Sequence, residues 1–123
     1  MIIENYVSYE VAKLLKDKGF DEPCRSYYIG SSGRYSRCTV EIKTNDCRDD
    51  EILRPTLQMT CKWLREVHHI IFVFKPSYFS GDECTYWTYE RWCGDNFEGE
   101  VSSFKTYEEA VEAACLYVLK NLI

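Results

Sequence analysis

The sequence predicts an α+β domain in which three helices pack on a largely antiparallel sheet of about four to five strands, in the order α-ββ-α-βββ-α. Three observations predict it. Apolar residues recur at helical spacing in stretches opening near Ser8, Pro55 and Thr106. The segments between them are rich in aromatic and β-branched residues, the composition of strands. Glycine-bearing turns, "GSSG", "FSGD" and "CGDN", separate those segments at hairpin spacing. At 123 residues the chain is long enough for one core and too short for two, so residues 1–123 read as a single α+β domain.

The first helix runs from about Ser8 to Lys18. Ser8 is its N-cap, Val11, Leu14 and Leu15 form its apolar stripe, and Gly19 supplies the stop because glycine tolerates the left-handed turn after a helix. "SYYIGSSGRYSRCTVEI" reads as a hairpin, its second strand alternating Tyr35, Arg37, Thr39 and Glu41 with Ser36, Cys38, Val40 and Ile42. "KTNDCRDDE" reads as a polar surface loop.

The second helix covers "PTLQMTCKWLREVHHI". On a wheel of 100° per residue, Leu57, Cys61, Leu64 and Val67 form one stripe that Met59 and Trp63 widen to about 200°. Gln58, Lys62, Arg65 and Glu66 remain on the polar side, so the helix is expected to lie embedded between a sheet and another helix. "HHIIFVFKPS" follows as a strand whose five consecutive apolar residues imply cover on both faces. "ECTYWTYERW" returns, with Cys84, Tyr86, Thr88, Glu90 and Trp92 facing one way, and a last strand lies near Phe97 to Phe104. The third helix begins at Thr106, where Thr106 and Glu109 have capping-box spacing, and continues to about Leu122. Its inner face is Tyr107, Val111, Ala114, Val118 and Leu122, which leaves Leu116, Leu119 and Ile123 as an apolar stripe on the opposite side.

The net charge of −5 argues against general affinity for nucleic acid or acidic membranes. The charge is uneven: residues 1–69 carry eleven basic and eleven acidic side chains, residues 70–123 four and nine. In the first half Arg25, Arg34, Arg37 and Lys43 stand against Glu41 alone, so a local basic face is compatible with an acidic protein. Seven cysteines without a C-x-x-C pair, and a start, "MIIENYVSYE", without the layout of a signal peptide, point to reduced thiols in the cytoplasm. The longest apolar run, Ile70 to Phe74, falls far short of the roughly 20 residues that cross a bilayer.

Several patterns could carry chemistry. Cys61 and His68 are a nucleophile and a base on one helix, but seven residues place them about 10 Å apart, and Cys61 sits mid-stripe where a thiol is buried and inert. His68 and His69 with Cys84 and Cys93 are the nearest approach to a zinc set, and their spacing matches no finger pattern. "GSSGR" has the glycines of a phosphate cradle without the following helix or lysine, which favours a hairpin tip. A helix-turn-helix built on "PTLQMTCKWLRE" would require a turn of a few residues, whereas about 36 separate the first two helices. No metal, cofactor or catalytic residue is expected.

Three stretches, "NYVSYEVAKLLKDKGFDEPC", "PTLQMTCKWLREVHHI" and "TYEEAVEAACLYVLKNLI", resemble a family of short hypothetical proteins encoded by phages and prophages of Bacteroides-type gut bacteria. The shared pattern is a helical opening, a "PT-Q…KWLREVH" middle and a "TYEEA-EAA" tail, in this order and over about half of the chain. The resemblance implies a cytosolic accessory protein of phage or prophage origin and brings no site residues with it.

Together these readings lead us to expect a non-enzymatic module that binds a protein partner, a second copy of the chain included, through Leu116, Leu119 and Ile123. The alternative is nucleic-acid binding through Arg25, Arg34, Arg37, Lys62 and Arg65, and a third reading is an enzyme built on Cys61 and His68.

Overall fold

The helices begin where a side-chain oxygen accepts one of the first free amides. Ser8 Oγ accepts from the Val11 N–H at 3.2 Å, Thr56 Oγ1 from Met59 at 3.1 Å and Thr106 Oγ1 from Glu109 at 3.1 Å. These caps open α1 (Tyr9–Asp17), α2 (Leu57–His68) and α3 (Tyr107–Asn121) in the computed structural model, which describes residues 4–30, 33–78 and 86–123. Glu109 also reaches back, its carboxylate accepting from the Lys105 amide at 3.2 Å. Gly19, at φ 88°, turns the chain after α1, and His69, at φ 59°, ends α2 in the left-handed region that glycine or asparagine more often fills.

The strands form two three-stranded antiparallel sheets where one sheet was expected. In the first, β1 (Cys24–Ile29) lies between β2 (Arg34–Ile42) and β3 (Glu51–Leu53). The β1–β2 register sets Tyr28 opposite Tyr35 and Ile29 opposite Arg34. In the second, β4 (Ile70–Ser77), β5 (Tyr86–Cys93) and β6 (Asn96–Phe104) form a meander. A 3-10 turn at Thr44–Asp46 lies within the stretch read as loop and β3 starts at its last residue, Glu51, so the order among the described residues is α-βββ-α-βββ-α. The expected "FSGD" turn, Cys84 and the tip serines of "GSSG" lie outside the described residues.

One buried cluster joins all three helices to both sheets, with Val11 and Leu15 of α1, Trp63 and Leu64 of α2 and Val111, Val118 and Leu119 of α3 at its centre. Two expectations about its faces change. Val67 is 51% exposed, and the buried side of α2 is Leu57, Thr60, Trp63 and Leu64. Thr60 joins an apolar face because its hydroxyl is satisfied locally, donating to the Thr56 carbonyl at 3.0 Å. The β4 strand is covered on one face only: Ile70 is buried, Phe72 and Phe74 pack against the core, and Ile71 and Val73 are exposed. The helices lie on one side of the meander, which leaves an outer face shared by Ile71, Val73, Trp92 and Phe97 with Lys75, Glu90 and Glu100. There Lys75 pairs with Glu90 at 2.8 Å and Glu100 at 3.7 Å.

The third helix differs most from its wheel. Tyr107 and Leu122 are exposed, whereas Leu119 and Cys115 are wholly buried and Leu116 and Ile123 pack against the core. The helix touches α1, α2 and the second sheet, so apolar residues are needed around most of its circumference. Of the stripe Leu116, Leu119 and Ile123, Leu119 is interior packing, and Leu116 and Ile123 are half-buried against the core. Leu119→Ala is expected to lower stability by about 2–5 kcal/mol, the cost of a cavity. Val67→Ala is expected to stay within about 0.5 kcal/mol. Urea unfolding midpoints of the two variants check this pair.

Candidate functional site

The site grows from a short pairing far apart in sequence. The Val7 amide donates to the Pro55 carbonyl at 3.0 Å, the Leu57 amide to the Asn5 carbonyl at 2.9 Å, and Tyr6 and Thr56 form an antiparallel bridge. The buried Tyr28 hydroxyl donates to the Val7 carbonyl. Between this bridge and the first sheet sits Arg54, whose own amide donates to the Ser26 carbonyl at 2.9 Å. The Arg54 guanidinium lies 4.0 Å from the centre of the Tyr6 ring, 3.7 Å from Tyr35 and 5.4 Å from Tyr28. Arg37 adds a second cation 5.8 Å from the Tyr6 ring.

Three tyrosines thus hold one arginine. The rings present electron-rich faces to a cation, each contact being worth about 0.5–1 kcal/mol at a wet site and about 2 when desolvated. Arg54 Nη1 donates to Ser26 Oγ at 3.1 Å, and Ser26 in turn donates to the Ser36 carbonyl at 2.9 Å. Arg54 Nε is buried with no acceptor among the described residues. Among the described residues neither Arg54 nor Arg37 pairs with a carboxylate, so both cations are held by dipoles and rings alone.

Arg54, Arg37, Tyr6 and Tyr35 form one bank of a cleft of about 650 Å³. The first turns of α3 form the other bank, with Glu108, Glu109 and Glu112, and Leu57, Ala113 and Leu116 contribute the apolar part. Carboxylates are favoured at that end of a helix by its dipole. Glu109 accepts from the Lys105 amide and Glu112 from the Ser8 amide at 3.2 Å, while Glu108 makes no ion pair among the described residues. The cleft is therefore lined by two arginines and two tyrosines together with four carboxylates, Glu4 beside Tyr6 and Glu108, Glu109 and Glu112 on α3.

Of the basic residues singled out in sequence, the structure brings only Arg37 to this cleft. Arg34 is an odd number of positions from Arg37 along β2 and points from the opposite side of the sheet. Arg25 borders a smaller cleft of about 210 Å³ on the other flank of Arg54. Lys62 faces Glu22, Glu41 and Glu66, and Arg65 lies beside Cys61. The five do not share one face.

The Cys61 and His68 pair is not assembled either. His68 packs its ring on Trp63 at 4.8 Å, with its Nε2 buried and unpartnered. Cys61 instead has its sulfur 3.8 Å from that of Cys115. Nor is Cys61 sealed in the core: it is half-buried and lines a cleft of about 390 Å³ with Gln58, Phe74 and Tyr107. A bond from the Cys115 thiol, helped by Arg65, holds Cys61 below the ordinary thiol value. That same bond and complete burial push Cys115 well up. Cys24 behaves as a packed hydrophobe, its thiol pushed up to about 12 by burial and then by the nearby Cys47. No group of three His, Cys, Asp or Glu suited to a metal occurs among the described residues, and Cys84 of the tentative zinc set lies outside them.

Sequence reading missed Arg54 and Tyr6. The available signal was "EILRP", an apolar pair beside a proline at the end of a polar stretch, which is the pattern of a short strand. No protein-family model, curated protein or solved structure matches the chain. No described helix is long and apolar enough to cross a membrane.

Arg54→Leu keeps much of the volume but removes three ring contacts and one hydrogen bond. The expected loss is about 1–3 kcal/mol in urea unfolding, against less than about 0.5 kcal/mol for Arg34→Leu on the outer side of the sheet.

Proposed function

We propose that the chain is a non-enzymatic binding module that takes an extended segment of a protein partner in the cleft between Arg54 and α3. The observation that supports this reading is one cleft lined both by Arg54 and Arg37, which pair with no carboxylate among the described residues, and by Glu108 and Glu112, with Leu57, Ala113 and Leu116 as its apolar part. A partner side chain carrying a carboxylate would complete the arginine bank, and a basic one a few residues along would meet Glu108. Fixed charges of opposite sign on two walls select orientation and register as much as affinity. A volume of about 650 Å³ accommodates several side chains.

Self-association through Leu116, Leu119 and Ile123 is not part of the proposal, because Leu119 is buried and Leu116 and Ile123 are half-buried against the core. The sequence resemblance supports a cytosolic accessory role in a phage or prophage setting, in which such a module would act by docking. Nucleic acid is the alternative ligand, and it would use the arginine bank while meeting repulsion from α3.

Fluorescence anisotropy with three labelled probes tests the proposal: a peptide alternating Glu and Lys, an all-Lys peptide, and a single-stranded oligonucleotide. The mixed-charge peptide is expected to bind best. Arg37→Ala is expected to weaken it roughly ten-fold, as loss of one charge-assisted hydrogen bond worth about 1.5–3 kcal/mol allows. Stronger binding of the oligonucleotide, or peptide binding indifferent to Arg37→Ala, would overturn the proposal.

A further inference from the structure

Two cysteines distant in sequence meet where α2 packs on α3. Cys61 and Cys115 are 54 positions apart, and their sulfurs stand 3.8 Å from each other. A disulfide bond is about 2.05 Å long, so the remaining gap lies within the sweep of a side-chain rotation. Their surroundings are unequal. Cys115 is wholly buried, whereas Cys61 is half-buried and opens on the cleft lined by Gln58, Phe74, Tyr107 and Glu108. One thiol can be reached from solvent, and the other waits directly behind it.

We propose that Cys61 and Cys115 form a peroxide-oxidised pair, with Cys61 the reacting thiol and Cys115 the resolving one, that closes a reversible disulfide between α2 and α3. This inference does not rest on the binding cleft at Arg54. The Cys61 thiolate attacks one oxygen of a hydroperoxide, the O–O bond breaks, and the other oxygen leaves and is protonated to an alcohol, or to water for hydrogen peroxide. Cys61 becomes a sulfenic acid, oxidised by two electrons as the peroxide is reduced by two. Cys115 then loses its proton and attacks the Cys61 sulfur. The S–O bond breaks, the S–S bond forms, and the oxygen leaves as water. Two thiols and one hydroperoxide give one disulfide, one alcohol and one water.

The arrangement meets the requirements of a redox-responsive cysteine, namely access, thiolate character and an adjacent resolving thiol. Thiolate character is supported by the contact with the Cys115 sulfur at 3.8 Å, in which either thiol can donate, and by the charge of Arg65. The exposed Cys93 has access, but among the described residues no thiol is bonded to it. A thiol reductant of the thioredoxin or glutathione kind would restore the pair by exchange.

The test treats the folded, reduced chain with equimolar hydrogen peroxide, blocks the remaining thiols, and maps peptides by mass spectrometry without reduction. A cross-linked pair of peptides holding Cys61 and Cys115, lighter by two hydrogens and reversed by dithiothreitol, is the expected result. In Cys115→Ser the cross-link is lost, and Cys61 is expected to take a dimedone label that reports sulfenic acid. Wild-type chain that oxidises at Cys93 or Cys38 while Cys61 and Cys115 stay reduced would overturn the proposal. So would Cys61 carried on to sulfinic acid in the wild type with Cys115 still free. The wild-type map decides even if the serine variant does not fold.

Discussion

The pairing of residues 5–7 with residues 55–57 is the constraint on which the rest of the molecule depends. It spans some fifty positions of sequence yet consists of two backbone hydrogen bonds and one from the Tyr28 hydroxyl. Both flanking helices start from it, since Ser8 caps α1 just after one side and Thr56 caps α2 on the other. Arg54 sits one residue before the pairing, so the same contacts that fix two helix starts also set the guanidinium between Tyr6 and Tyr35. The third helix is tied to the same place through Glu112, which accepts from the Ser8 amide. Fold and site share one anchor, and a loss at the anchor reaches both.

The cleft built on that anchor keeps charge in an uncompensated form. Folding usually pairs or hydrates its cations, and a buried guanidinium nitrogen without an acceptor costs on the order of 1–3 kcal/mol. Among the described residues Arg54 Nε has no acceptor, and ring faces surround the guanidinium instead. The carboxylates of α3 line the same cleft as the arginines, yet none forms an ion pair with Arg54 or Arg37 among the described residues. On the binding reading proposed above, a ligand carrying both signs would complete this arrangement. The Cys61 and Cys115 pair lies on a different cleft, although Leu57 and Glu108 border both.

Local chemistry was legible in the sequence wherever it decided structure. The caps Ser8 and Thr106 and the stop at Gly19 fixed two helices, and the alternation from Tyr35 to Ile42 fixed the β1–β2 hairpin. What could not be read depended on partners elsewhere in the chain. The strand β3 is three residues long and exists because β1 offers it an edge, so the apolar pair in "EILRP" is too short a signal to announce it alone. The apolar run at Ile70 announced a strand but could not say that helices cover only one of its faces. The wheel of α3 assumed a single buried side, whereas α1, α2 and the second sheet surround the helix and draw Leu119 and Cys115 inward. The same reason hid the site: Arg37 stood out as a cation, but Arg54 acquires its meaning only from Tyr6 and Tyr35, and Cys61 only from Cys115.

The most direct measurement of the central claim is native-state hydrogen exchange at the Val7 and Leu57 amides, the two donors of the anchoring pairing. If that pairing holds helices and cleft together, both amides exchange only through global unfolding, with a free energy equal to that from urea denaturation and to that of core amides such as Leu64. Exchange at Val7 and Leu57 several kcal/mol easier than at Leu64 would mean that the segment opens on its own. The pairing would then be a surface attachment, and the Arg54 bank would not be preformed.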